Sequence, residues 1–105
     1  MTSYNPAFNR PAFTSRVVPV IVITHPEQAV PMAHALLEGG IDVMEITLRH
    51  AAGLPAIEQV AKHVPQMHVG AGTVTRAEEM ARVQNAGASF ALSPGMTDAL
   101  VQAAV

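Results

Sequence analysis

A parallel α/β fold built from repeated strand-then-helix units is the class this sequence predicts, on three observations. Short apolar runs suited to strands open near Val17, Asp42, His68 and Ser89, at intervals of about 21 to 26 residues, the length of one βα unit. Between them lie stretches with apolar residues at helical spacing, each closed by glycine or proline. Half of the 105 residues are apolar and 13% are charged, so the chain can bury a core and lacks the low-hydrophobicity, high-charge balance of disordered chains.

The first strand, Val17 to Ile23, is apolar at every position, as expected when both of its faces are covered, and Pro19 should sit near its start. Helix one is expected from about Pro26, burying Val30, Ala33, Leu36 and Leu37 and stopping at Gly39-Gly40, where glycine tolerates a left-handed cap. Pro31 should leave its second turn imperfect. Helix two runs from about Pro55, places Ile57, Val60, Ala61 and Val64 on one face, and ends at Pro65. Helix three opens on Thr75-Arg76-Ala77-Glu78, read as a capping box in which Thr75 accepts a helical N–H and Glu78 reaches back, and closes at Asn85-Ala86-Gly87. A fourth strand over Ser89 to Ser93 leads through Pro94-Gly95 to a helix near Thr97, which is still running at Val105. Residues 1–16 are read as a segment preceding the repeated units, which occupy residues 17–105.

Composition narrows the function. Six Lys and Arg against eight Asp and Glu give a formal charge of -2 and no basic stripe, and Tyr4, Phe8, Phe13 and Phe90 are the only aromatic residues. Nucleic acid is therefore not an expected partner. Without cysteine there is no disulfide, thiolate metal site or thiol nucleophile. The run from Val17 to Ile23 falls far short of the ~18–20 residues a bilayer span needs, and residues 1–16 lack the apolar core of a secretory signal. No membrane association and a cytoplasmic location are the expectations.

Successive βα units give either an open doubly wound sheet or part of an eight-stranded barrel. Gly70-Ala71-Gly72 precedes a helix, but the third glycine of a dinucleotide fingerprint is missing. A whole barrel needs roughly 250 residues, so four units amount to half of one.

The second strand carries most of the chemistry. Along Asp42 to Arg49 side chains alternate, which directs Met44, Ile46 and Leu48 to the helices and Val43, Glu45, Thr47 and Arg49 to the other face. A buried unpaired charge costs on the order of several kcal/mol, so this face either pairs its charges with adjacent strands or forms a site. Glu45 and Arg49, four residues apart on a strand, would be separated by ~13 Å and do not satisfy each other. Polar groups toward the C-terminal ends of barrel strands are where barrel enzymes place their chemistry.

With its preceding glycine this segment reads Gly40-Ile41-Asp42-Val43-Met44-Glu45-Ile46-Thr47-Leu48-Arg49. It resembles the active-site signature of the 2-keto-3-deoxy-6-phosphogluconate (KDPG) and 4-hydroxy-2-oxoglutarate (KHG) aldolases. That signature is a glycine, an aliphatic residue, three free positions, then Glu, an aliphatic residue, Thr, Leu or Phe, and Arg. The likeness continues through Val18 to Val22, Ala29 to Ala33, Val69 to Val74 and Ser93-Pro94-Gly95. It implies a (β/α)8 TIM barrel, of which this chain covers about the first four βα units, assembled as a homotrimer.

The implied reaction is reversible cleavage of a 2-keto-3-deoxy sugar acid phosphate into pyruvate and glyceraldehyde 3-phosphate by class I chemistry. A lysine forms a Schiff base with the keto carbon and a carboxylate moves the protons, with no cofactor. By resemblance Glu45 is the proton shuttle, since a carboxylate in a largely desolvated barrel can act as acid and base in turn. Arg49 and Thr73 match positions that hold the substrate carboxylate, the first through its two-pronged fork. Pro94 matches a residue lining the pyruvate pocket.

The family's Schiff-base lysine lies on the sixth strand and its phosphate site on the last two, beyond Val105. The only lysine, Lys62, is expected near a helix C-terminus, where a cation meets the helix dipole and water rather than substrate. Taken alone, residues 1–105 are therefore expected to be inactive as an aldolase. His25 and His50 follow the first two strands and could with Glu45 offer a metal two nitrogens and an oxygen, but no HxH or HxxxH spacing supports this, and no metal is assigned. His34, His63 and His68 are read as surface or rim residues. A competing, non-catalytic reading is a half-barrel that acts by self-association or complementation, because four parallel strands covered on one side leave an apolar face and two edges open.

Overall fold

The computed structural model describes residues 13–95 and 97–104. The expected segment 1–16 falls mostly outside the described residues, as do Tyr4 and Phe8. Four parallel strands, β1 (Val20–Ile21), β2 (Val43–Thr47), β3 (His68–Gly72) and β4 (Phe90–Ala91), form one sheet in the order β1-β2-β3-β4. Helices α1 (Ala29–Glu38), α2 (Gly53–His63), α3 (Ala77–Asn85) and α4 (Asp98–Ala104) follow β1, β2, β3 and β4 respectively. This is the architecture of a partial (β/α) barrel, as the family resemblance implied; the βα repeat by itself also allowed an open doubly wound sheet.

The sheet register sorts the two faces. Ile21, Ile46, Ala71 and Ala91 stand in one row, and with Met44 and Val69 they face the helices, where Ala33, Ile57, Val60 and Val83 complete the core. The opposite, inner face carries the rows Val43–His68 and Val20–Glu45–Gly70–Phe90. The alternation expected for Met44, Ile46, Val43, Glu45 and Thr47 is thus the one observed. Arg49 is a correction: β2 ends at Thr47, and Leu48 and Arg49 belong to the turn that follows, so strand alternation no longer directs the Arg49 side chain.

The first strand also differs from expectation. Only Val20 and Ile21 enter the ladder, and Val18, Val20 and Val22 are exposed rather than covered on both faces. β1 is an edge strand: Ile23, two residues beyond it, is fully buried, while Val20 and its flanking Val18 and Val22 are exposed among the described residues. Pro19 does precede the strand, and its carbonyl accepts the Glu45 N–H at 2.9 Å. As a residue without an N–H it can only accept there.

Helix boundaries are set by their caps. A 3-10 turn over Pro26–Gln28 leads into α1, so Pro31 falls in the first helical turn, where its missing N–H costs nothing; the imperfect second turn expected from it is absent. The helix ends as predicted, with Gly40 at φ 85° and Ile41 N–H bonded to Leu36 O at 2.9 Å. α2 begins at Gly53, two residues before Pro55, and its last N–H bond, Val64 to Val60 O, precedes Pro65. The capping box of α3 is corrected by one residue: Glu79, not Glu78, reaches back. Its Oε1 accepts the N–H groups of Thr75 at 2.9 Å and Arg76 at 3.1 Å, and the Thr75 hydroxyl donates to it rather than capping the helix. These bonds, led by the Thr75 N–H, hold the Glu79 carboxyl below its ordinary range. Glu78 instead forms an exposed ion pair with Arg76 at 3.6 Å.

The N-terminal end of the inner face is closed by Phe13 and Asp42. The Phe13 ring lies 6.0 Å from that of Phe90 and 6.3 Å from that of His68, and His68, half-buried at the start of β3, is a rim residue. Asp42, one residue before β2, accepts the Thr14 N–H at 2.9 Å, the Ser15 N–H at 2.9 Å and the Thr14 hydroxyl at 3.1 Å. The Thr14 and then the Ser15 N–H hold its carboxyl below the ordinary 3.8. Since its native pKa is depressed, Asp42 contributes stability that is fully present above 3.8 and lost as pH falls through the lower native value. Asp42→Ala should therefore lower the urea midpoint at neutral pH, with the gap to wild type closing as pH is taken below 3.8. A gap that stayed constant down to acid pH would show that the charge plays no part.

Candidate active site

Glu45 is centred on the inner face, in register with Val20 on one side and Gly70 on the other, and is 7% exposed. Its side chain leans toward the C-terminal ends of the strands, onto Gly72: a methyl group there would lie 2.8 Å from Glu45 Cδ and overlap Oε2. Gly70 is matched in the same way to Phe90, whose ring would collide with any side chain at that position. The two glycines of β3, at a spacing of two, thus make room on the inner face for a carboxylate and an aromatic ring. The sequence shows that spacing, and glycine inside a strand signals close approach of another group.

Among the described residues the Glu45 carboxylate makes no ion pair and no hydrogen bond, and the one ion pair is Arg76–Glu78 on the surface. The arrangement in which charges on adjacent strands satisfy one another is therefore not present there. Thr47, two residues on and in register with Gly72, is 2% exposed, and its Oγ1 has no partner among the described residues. An orphaned buried hydroxyl costs about 1–3 kcal/mol. Thr47→Val, which keeps the side-chain shape, should therefore match or exceed wild type in urea unfolding by up to that amount. A comparable loss of stability would show that the hydroxyl is bonded in the folded chain.

Thr73 follows β3 at φ 59°, the left-handed region that a β-branched residue rarely enters. Such strain costs about 1–3 kcal/mol and persists only where neighbours over-determine it. Here the Gly72 carbonyl accepts the Leu48 N–H at 2.9 Å and the Val74 N–H donates to Leu92 O at 3.0 Å, pinning the chain on both sides of Thr73. No sequence pattern foretold this conformation. Arg49 is exposed in the turn after β2, and Pro94 is exposed after β4, in a turn where Ser93 Oγ accepts the Gly95 N–H at 3.3 Å and donates to Gly95 O. Glu45 therefore comes from β2, and Arg49, Thr73 and Pro94 from the segments that follow β2, β3 and β4.

The remaining candidates are placed elsewhere. Lys62 is exposed in the last turn of α2, on the helix layer, with the sheet between it and Glu45. His50 Nδ1 accepts the Ala52 N–H at 3.0 Å, committing that nitrogen to the turn into α2. Among the described residues no three of His, Asp and Glu gather as a metal site, so His25, His50 and Glu45 are not brought together. His34 and His63 are exposed. No helix among the described residues is long and apolar enough to cross a membrane.

Consecutive parallel βα units, with a buried carboxylate aimed at the carboxyl ends of the strands, define part of a (β/α) barrel. A family model described as KDPG and KHG aldolase matches residues 11–105. The chain belongs to that family. It is 53% identical to the KHG/KDPG aldolase of Escherichia coli strain K12 over 91 residues, which cover 87% of this chain and 43% of the relative. It is 54% identical to the 2-dehydro-3-deoxy-phosphogluconate aldolase of Dickeya dadantii over 88 residues, 84% of this chain and 41% of the relative. A solved KDPG aldolase from Legionella pneumophila, with pyruvate captured as a covalent carbinolamine, superposes with a TM-score of 0.78 at 45% identity. That match covers 82% of this chain and 42% of the Legionella chain. The chain thus spans about two fifths of the length of the relatives it matches.

Proposed function

We propose that residues 17–105 are the N-terminal half of a (β/α)8 barrel and supply the proton-transfer and carboxylate-binding side of a class I aldolase. Its substrate class is a 2-keto-3-deoxy sugar acid phosphate such as KDPG, or 4-hydroxy-2-oxoglutarate, with pyruvate as the shared product. The observation that carries this is Glu45: a buried carboxylate without an ionic partner among the described residues, laid over Gly72 beside the strained Thr73. A fold that only needed stability would gain nothing from it.

In this reading the amine of a lysine outside residues 1–105 attacks the keto carbon, and water leaves to form an iminium ion. As the carbon–carbon bond breaks, Glu45 takes the proton of the adjacent hydroxyl, and the electron pair passes into the iminium to give an enamine. Glu45 then returns a proton to the enamine carbon, and hydrolysis frees pyruvate. Arg49 and Thr73 hold the substrate carboxylate, the guanidinium through paired N–H donors and Thr73 through a hydroxyl fixed by its pinned backbone. Pro94 walls the pyruvate pocket. No cofactor takes part; the whole protein is a cytoplasmic homotrimer in this reading, with small-molecule partners only. The carbinolamine captured in the Legionella relative supports covalent lysine chemistry in the family.

The test is a chimera in which residues 11–105 replace the matching segment of the Escherichia coli KHG/KDPG aldolase. The reading expects the chimera to release pyruvate from KDPG and the isolated 105-residue chain to release none. A folded chimera without turnover would overturn it.

A further inference from the structure

Of the side chains within the four strands only those of Glu45, Thr47 and His68 are polar. His68 stands in the row of Val43, four residues and ~13 Å of strand before Thr47. Glu45 is two residues before Thr47 on the same face, and its side chain runs forward along the strand onto Gly72, the residue in register with Thr47. Neighbouring positions in one row are about 4.8 Å apart, so the Glu45 carboxylate lies over the position beside Thr47. Two polar groups without hydrogen bonds among the described residues thus stand side by side. One is the carboxylate; the other is the Thr47 hydroxyl, whose oxygen this chain itself closes off from solvent.

Nothing in the folding of β2 calls for a hydroxyl at this position. Val43, four residues earlier on the same face, is fully buried, and valine has the shape of threonine and a comparable preference for strands. A buried hydroxyl without a partner lowers stability. We infer, given the proton-transfer role proposed above for Glu45, that Thr47 is a positioning residue for it, the hydroxyl becoming the hydrogen-bond partner of the carboxyl group when substrate is seated.

A hydroxyl suits a shuttle that is charged in one step and neutral in the next. Toward the carboxylate it donates its O–H, and toward the carboxylic acid it accepts through a lone pair. Rotation about one C–O bond interconverts the two, so Thr47 neither gains nor loses a proton. With one carboxyl oxygen held by Thr47, the other faces the reacting atoms, where a misplacement of about 1 Å can cost 10²-fold. Hydrogen bonds of this kind are often long or poorly aligned in the free enzyme and tighten only once substrate is bound. A hydroxyl that stands beside the carboxylate without yet bonding it fits that behaviour, and valine could fill neither role.

The experiment compares Thr47→Val, Thr47→Ser and Thr47→Ala in the chimera with KDPG as substrate, and Thr47→Val also together with Glu45→Gln. Thr47→Val should lower kcat at least about tenfold, the scale of a lost hydrogen bond to a charged group. KM should change less than about twofold, because Arg49 and Thr73 hold the substrate in this reading. The borohydride-stable pyruvate adduct should remain, and stability should match or exceed that of the unsubstituted chimera, which separates the loss of rate from a loss of fold. Thr47→Ser should recover most of the rate. Thr47→Ala should be as slow as Thr47→Val and takes its place if valine disturbs the fold. Added to Glu45→Gln, Thr47→Val should slow turnover by less than about twofold, since both act through one carboxyl group. Undiminished kcat in folded Thr47→Val or Thr47→Ala, Thr47→Ser as slow as Thr47→Val, or multiplying losses in the double variant would each overturn the role of Thr47 while leaving that of Glu45 in place. A folded chimera without turnover, or Glu45→Gln at full rate, would overturn both.

Discussion

Glu45→Gln in the chimera should fold with unchanged secondary structure and turn over roughly 10²-fold or more slowly. Glutamine keeps the shape of the side chain over Gly72 but can neither take nor give up a proton. Because Glu45 has no ion-pair partner among the described residues, the substitution strands no opposite charge there, and stability should hold or rise. Schiff-base formation does not require this carboxylate in the proposed mechanism, so the variant should still form a borohydride-stable adduct with pyruvate. Turnover at the unsubstituted rate would remove Glu45 from the chemistry. Loss of the adduct together with turnover would mean that the residue shapes the site rather than moving protons.

The second large effect is expected from Gly72→Ala, through a residue with no chemistry of its own. A methyl group at Gly72 would overlap Glu45 Oε2 and lie 2.8 Å from Cδ and 3.0 Å from Cγ. The obstructing atoms belong to the end of a flexible side chain, so the carboxylate moves aside and the sheet need not. The cost in stability should stay within the about 1–3 kcal/mol of a tolerated overpacking. Turnover, in contrast, should fall nearly as far as in Glu45→Gln, since a misplacement of about 1 Å at a reacting group can cost 10²-fold. The double variant should be hardly slower than either single one, because both act through the same carboxylate. Multiplying effects in the double variant would separate Gly72 from Glu45.

Local patterns in the sequence foretold much of this architecture because local physics decides it. The βα repeat, the Gly39-Gly40 stop of α1 and the placement of Met44 and Ile46 opposite Glu45 follow from periods of two and 3.6 and from glycine at a helix end. The misplaced features depend on contacts between distant parts of the chain. Val17 to Ile23 is a uniformly apolar run, and composition cannot tell a strand covered on both faces from an edge strand with one face open. Glu78 and Glu79 are adjacent, and which of them reaches back depends on where α3 begins, which the bonds to Thr75 and Arg76 decide.

At the candidate site, the alternation along β2 marked out Glu45; the ten-residue signature implied the proposed roles of Glu45 and Arg49, and the wider family likeness those of Thr73 and Pro94. The positive φ of Thr73, the fit of Glu45 over Gly72 and the closure of the inner face by Phe13 lay out of reach. Each arises from strand neighbours or a terminal segment that approach only in the folded chain.

The most direct test of the central claim is one experiment on the chimera and its Glu45→Gln variant: intact mass after incubation with pyruvate and borohydride, beside the rate of pyruvate release from KDPG. The account predicts one pyruvate adduct per chain in both proteins, with rapid release only where Glu45 is present, and an unmodified 11.0 kDa mass for the 105-residue chain alone. A folded chimera that carries the adduct and releases pyruvate equally fast with Gln at position 45 would contradict it.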